Sequence, residues 1–321
     1  MKREDVITLL GSSWQGFESL VRSTLQSDIK LLDSINSSIL VNSGKQLRPM
    51  LTLLVAAALG GITGTSVRFA AAAEILHNAT LLHDDVADSS PTRRGEPTVY
   101  ASRGASTAVL LGDYWLSKAV DLIVAAGSTE AIQWCAGTIA NLARGEMIQM
   151  EKAEMADTTE DDYLRIVYCK TASLFETSCR IGAISAGSSA ELKEAATRYG
   201  NALGMAFQIK DDIFDYIGPA QIGKPVGIDL MERKITLPLI GALRGSGEEG
   251  RIRSLVASIS SHPANCEEVR RFVLDGGGIE YATRRLDDYL ALALEALEAF
   301  PESQHRDALS ELARYNSVRT V

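Results

Sequence analysis

Residues 81–98 read LLHDDVADSSPTRRGEPT. Upstream of them, apolar residues recur at spacings of three and four, the period of a helix. The run closes on Asp84, Asp85 and Asp88, and Pro and Gly then punctuate the chain. The stretch predicts a helix from about Ser66 to Asp88, followed by a loop over SSPTRRGEPT. The same helical period dominates elsewhere, with Ala and Leu abundant and aromatics at 6%. SGKQLRP delivers Pro49 to the first turn of a helix that ends near Gly60-Gly61. Further helices are expected at roughly 104–126, 129–155, 159–186 and 189–217, with a glycine-rich break at IGPAQIGKPVGID. No stretch alternates well enough to predict a strand. The expectation is an all-α chain: one domain over residues 1–321, a single large helical bundle around a central cavity.

A second stretch, FQIKDDIFDYIG at 207–218, repeats the acidic pattern with Asp211, Asp212 and Asp215. Both clusters read D-D-x-x-D and both end an apolar helical run. Residues i and i+4 share a helix face, so Asp84 pairs with Asp88 and Asp211 with Asp215. Carboxylates so placed repel one another, and acids at a helix C-terminus oppose its dipole. A lone cluster of this kind could be a solvated helix end, but two copies call for a positive partner. Hard divalent cations such as Mg²⁺ take one or two carboxylates and complete their shell with water and substrate phosphate. Two such helix ends facing each other would make a metal–diphosphate site.

Basic residues recur in loops and at helix starts. They are Lys45 and Arg48 in GKQLRP, Arg93 and Arg94, Lys170 beside Thr171 in YCKTASLFETS, Lys224 in GKPVG, and Lys234 in ERKITLP. Arg offers a planar fork to phosphate oxygens and Lys a compact charge. The net charge of −9 argues against a nucleic-acid binder but not against local anion sites. The longest apolar run, MLTLLVAAALGGI, is too short to span a bilayer, and no signal peptide is evident. The four cysteines form no CxxC pair and are expected to be reduced, mostly buried thiols of a cytoplasmic protein.

Taken in order, GKQLRP, LLHDDVADSSPTRRGEPT, LLGDYW, GEMIQ, KTASLF, GMAFQIKDDIFDY and GKPVGIDLMERKITLPL resemble the trans-isoprenyl diphosphate synthases, or polyprenyl synthetases. The resemblance spans about Gly44 to Pro238. It implies an isoprenoid synthase-like fold and condensation of isopentenyl diphosphate with an allylic diphosphate. It implies about three Mg²⁺ ions per active site, bound by carboxylates and phosphate together. Asp84, Asp85 and Asp88 would form one metal site and Asp211, Asp212 and Asp215 the other, with Asp211 and Asp215 favoured as direct ligands. Arg93, Lys170, Thr171, Gln208 and Lys234 would contact the allylic diphosphate, with Lys224 nearby in a mobile loop. Lys45, Arg48, His77 and Arg94 would hold isopentenyl diphosphate. Asp84, Asp88, Arg93, Lys170 and Asp211 would carry the catalysis. The acids and arginines of 81–98 are thus expected to serve two substrates rather than each other. His83 is expected to be structural or to lie behind the contacting residues.

In the family, bulky aromatics just before the first acidic cluster stop chain growth early. Here Ala79 and Thr80 are small, with Leu76 one turn further back. These positions imply a long product, roughly C30–C50, since a turn is about 5.4 Å along the axis. A short-chain farnesyl or geranylgeranyl diphosphate synthase and a subunit that needs a partner chain stay open. A terpene cyclase would not need Lys45, Arg48 and Arg94. A metal phosphohydrolase would want more histidines than the four present. By resemblance the chain is expected to be a homodimer with transient membrane contact for product release. Arg233 stands where the family commonly has glycine.

Overall fold

The computed structural model of the chain describes residues 2–41, 44–218 and 227–315. Its helices are α1 (Arg3–Leu10), α2 (Ser12–Leu25), α3 (Lys30–Val41), α4 (Leu47–Leu59), α5 (Gly64–Ala87), α6 (Val99–Arg103), α7 (Ala105–Ala125) and α8 (Thr129–Met155). They continue with α9 (Glu160–Val167), α10 (Ser173–Ser185), α11 (Ala190–Ile217), α12 (Ile228–Met231), α13 (Leu237–Leu243), α14 (Glu249–Ala257), α15 (Asn265–Asp275), α16 (Gly278–Ala296) and α17 (Gln304–Tyr315). The all-α expectation holds, and the long helices fall within a residue or two of their predicted limits.

Two compact units emerge. One comprises Met1–Gly137, Leu174–Thr197 and Leu297–Glu311; the other comprises Thr138–Ser173, Arg198–Ala296 and Leu312–Val321. In the first, α4 is buried on nearly every face from Pro49 to Leu59, as its uninterrupted apolar run demands. Beside it, α5 starts at a reciprocal cap in which Thr63 and Ser66 each accept the other's backbone N–H. Small residues let helices close up. A Cβ on Gly182 of α10 would sit 2.5 Å from the Thr52 carbonyl oxygen of α4. In the second unit, Leu237, Leu239 and Ile240 of α13 pack with Val269 and Val273 of α15 and Leu286 of α16.

Two features depart from the sequence reading. The loop over SSPTRRGEPT contains a minimal hairpin, β1 (Thr92–Arg93) paired antiparallel with β2 (Glu96–Pro97). Its two turn residues, Arg94 and Gly95, both have positive φ (55° and 83°), as type I′ hairpin turns require. Four paired residues are too few to show alternation. The helix expected over 159–186 is interrupted: residues Tyr168–Ala172 form a π-helical turn between α9 and α10. Such one-residue insertions cluster at functional sites, and this one holds Lys170 and Thr171.

Candidate active site

At the end of α5, successive side chains turn about 100° around the axis, so the three aspartates cannot all point the same way. Asp88 is exposed and Asp84 half-exposed, while Asp85 turns inward and is 4% exposed. Arg93 follows it: its Nε donates to Asp85 Oδ1 at 2.8 Å. Burial pushes the Asp85 carboxyl upward, and Arg93 works against that shift. The expectation that acids and arginines ignore each other is corrected here, because Asp85 and Arg93 tie the hairpin to the helix end.

The type I′ turn sends the next arginine elsewhere. The Arg94 guanidinium lies so close to Gly44 that a Cβ there would come within 2.5 Å of it. Arg94 thus meets the loop that carries Lys45 and leads into Arg48 at the start of α4. Lys45 is exposed. Arg48 stacks its guanidinium over the Phe175 ring, 4.9 Å from the centroid. Its Nε is buried with no hydrogen-bond partner among the described residues. Burial brings the Arg48 pKa down to about 10. His77 is held well below its usual range by burial and by Arg48, Arg94 and Arg93, so it is neutral. The four residues expected to hold isopentenyl diphosphate all belong to this unit. His83 is held by its neighbours: its Nε2 lies 3.3 Å from the Val109 carbonyl oxygen and 3.3 Å from Asp113 Oδ1. Its ring occupies the space a Cβ on Gly112 would fill.

Along α5, Ala79 is 1% exposed and Leu76 is also buried, whereas Thr80 is half-exposed and donates its hydroxyl to the His77 carbonyl at 2.8 Å. His77, Thr80 and Asp84 lie at i, i+3 and i+7, successive steps of three and four along one face. Ala79 lies off that stripe, in the core.

The second acidic cluster, near the end of α11, repeats the division of labour. Asp211 is exposed and Asp212 is 3% exposed. Tyr163 of α9 donates its hydroxyl to Asp212 Oδ2 at 2.6 Å, and Gln208 Nε2 donates to Oδ1 at 2.8 Å. The Gln208 amide is thereby oriented, and Thr171 donates to its Oε1 at 2.7 Å. Burial drives Asp212 well above the carboxylate range, against the pull of these two donors. Asp215 accepts the backbone N–H groups of Ile228 and Asp229, each at 3.1 Å, fixing the start of α12. Burial raises its carboxyl.

Lys170 in the π turn pairs with Glu146, and Gly145 gives it room, since a Cβ there would meet Cys169 and Lys170 at 2.7 Å. After α12, Arg233 adopts φ 59°. The Arg233 N–H donates to Leu230 (2.9 Å) and the Lys234 N–H to Asp229 (2.8 Å), the 5→2 and 6→1 bonds of a Schellman cap. That conformation is why glycine suits position 233. The cap delivers Lys234, which pairs with Glu232. Lys224 lies outside the described residues.

Four residues escaped the sequence reading: Glu74, Glu146, Tyr163 and Phe175. Glu74 had a signal, a single charge inside AAAEILHN. Glu146 stood in GEMIQ without a role. Tyr163 and Phe175 reach their partners only through packing. The free cysteines match expectation; Cys135, Cys169 and Cys179 are buried, with Cys135 pushed up to about 12.

A family model described as polyprenyl synthetase matches residues 29–273. The all-trans-nonaprenyl-diphosphate synthase (geranyl-diphosphate specific) of Rhodobacter capsulatus is 37% identical over 316 residues, 97% of this chain and 96% of its own. A short chain isoprenyl diphosphate synthase of Methanothermobacter thermautotrophicus is 35% identical over 277 residues, 85% of each chain. The crystal structure of a decaprenyl diphosphate synthase from Rhodobacter capsulatus aligns with a TM-score of 0.91 at 33% identity, covering 99% of both chains.

Proposed function

The chain belongs to the polyprenyl synthetase family, and from that premise we propose that it is a Mg²⁺-dependent trans-prenyltransferase. It joins isopentenyl diphosphate to an allylic diphosphate and releases pyrophosphate, using its 321 residues as one synthase domain. The observation that carries this reading is the shared build of the two D-D-x-x-D helix ends. In each, the first acid is the more open one and the second is buried and anchored.

Asp84, Asp88, Asp211 and Asp215 fit magnesium because they offer only hard oxygen donors, in pairs four residues apart. When bound, Mg²⁺ supplies Lewis-acid charge that steadies the departing pyrophosphate. In this reading Asp85 and Asp212 position their neighbours instead of ligating. Arg93, Lys170, Thr171, Gln208 and Lys234, with Lys224, take the allylic diphosphate and neutralise charge on it. Lys45, Arg48, His77 and Arg94 hold isopentenyl diphosphate. Neutral His77 donates or accepts one hydrogen bond without adding charge. The allylic C–O bond breaks, the isopentenyl double bond attacks the cation, and the proton lost from the adduct goes to the pyrophosphate formed. Exclusion of water protects the cation from capture.

The product is assigned a length of roughly C30–C50, because Thr80, on the Asp84 face one turn of about 5.4 Å before the first cluster, is small, as is buried Ala79 beside it. Similarity alone does not fix length, since one relative is a nonaprenyl and another a short chain synthase. The enzyme is read as a cytoplasmic homodimer whose product leaves through transient membrane contact. No helix among the described residues is long and apolar enough to cross a membrane.

The test uses the purified chain with farnesyl diphosphate and labelled isopentenyl diphosphate. Pyrophosphate release that needs both substrates and Mg²⁺ is expected. Phosphate release from one substrate alone would point to a hydrolase, and inactivity cured by a second chain to a heteromeric subunit. Products confined to C15 or C20 would refute the long-chain assignment.

A further inference from the structure

A buried acid stands among the residues proposed to bind isopentenyl diphosphate. Glu74 of α5 is 3% exposed, one turn before His77 and Asn78. Asn78 Nδ2 donates to its Oε1 at 3.2 Å, and its Oε2 has no hydrogen-bond partner among the described residues. The charged groups acting on it are Arg48 from α4, Arg94 from the hairpin turn and Arg3 from α1. His77 on its own helix is neutral. Lys170 and Lys234 also have acids, but those are direct ion pairs with partly exposed Glu146 and Glu232.

A carboxylate here should repel a diphosphate. Without it, however, Arg48, whose Nε is buried and unpartnered, would feel Arg94 with no counter-charge, which is costly. The two requirements are met together only if the acid changes charge. We propose that Glu74 is the built-in counterion of the Arg48–Arg94 pair and takes up a proton from solvent when a diphosphate arrives in its place. This rests on the reading of that pair as the isopentenyl diphosphate site. Burial already lifts the Glu74 pKa to about 7, against the pull of Arg48, Asn78, Arg94 and Arg3. An added anion nearby lifts it further. Protons bound on ligation then make affinity fall as pH rises through the free-state value.

Titration calorimetry of isopentenyl diphosphate, in two buffers of different ionisation enthalpy, counts the protons exchanged. The ligand's own ionisation is common to wild type and Glu74→Gln, so the difference between them reads Glu74. Wild type should take up about half a proton more than the variant at pH 7, where the free carboxyl is half protonated. Wild-type affinity should fall roughly tenfold relative to the variant between pH 6.5 and 8.5, by the same linkage. Equal proton counts in two proteins that both bind would overturn the counterion role and leave the site assignment standing. No binding by wild type would overturn both. If the variant does not fold, infrared difference spectra of wild type decide. A carboxylic-acid C=O band should appear on adding ligand, and its absence would refute the proton uptake.

Discussion

Tyr163→Phe tests whether Asp212 organises the second cluster. The change deletes one of the two donors on a carboxylate that is 3% exposed. Without the Tyr163 hydroxyl, the buried Asp212 Oδ2 loses its donor. A buried polar atom left unsatisfied costs about 1–3 kcal/mol. Removing the buried Tyr hydroxyl returns little, so the folded state should lose about 2 kcal/mol. The melting midpoint should fall by a few degrees, at roughly 2–4 °C per kcal/mol for domains of 150–250 residues. The second consequence is kinetic. Asp212 fixes which end of the Gln208 amide faces Thr171. With that anchor weakened by about 1.4 kcal/mol, the KM for the allylic diphosphate should rise about tenfold. The KM for isopentenyl diphosphate should hold. Steady-state kinetics with each substrate varied in turn, alongside thermal melting, separates the effects. A lower midpoint with both KM values unchanged would reduce Tyr163 to a packing residue. An unchanged midpoint would refute the energetic reasoning itself.

Asp88→Asn should stop Mg²⁺-dependent turnover and still raise stability by about 0.5 kcal/mol, because a like-charge i,i+4 pair and an acid at a helix C-terminus are both relieved. Kinetics and denaturant melts check the two signs. Ala79→Phe should shorten the product toward C15–C20, read by chromatography. Because Ala79 is 1% exposed, overpacking should also cost about 1–3 kcal/mol, and an unchanged product distribution in a folded variant would refute a length role for this helix. Arg233→Gly should stabilise the chain by about 0.5–1 kcal/mol, since a side chain with φ near +60° is strained. A loss of stability in denaturant melts would mean the Arg233 side chain contributes contacts that outweigh the strain.

The helices were legible because their signal is long and redundant: the three-and-four spacing before Asp84 survives any single residue. The two acidic clusters were legible for the same reason, as a repeated pattern. The inward turn of Asp85 and Asp212 follows from the 100° step between residues, yet which face is inward depends on tertiary packing. The hairpin was hidden because it rests on two positive φ angles in Arg94-Gly95, and only the glycine advertises one. The π turn left no periodic trace, being a single extra residue inside a helical stretch of mixed polarity, YCKTAS. Phe175 lies under Arg48 across a long stretch of chain, and Tyr163 meets Asp212 across another. No local pattern connects either pair. Glu74 could have been flagged as a lone charge in an alanine-rich helix, but its partners come from three other elements.

The π turn at Tyr168–Ala172 also has a genetic meaning. It holds one residue more than an α-helix needs, so α9 and α10 are phased by an insertion. Deleting a single codon within it would leave an uninterrupted helix with every hydrogen bond made. Yet the residues on one side of the deletion would be rotated by about 100° relative to the other. Lys170 and Thr171 could then not stay in register with both Glu146 and Gln208. Among single-residue deletions, this one would spare the helix and misalign the site.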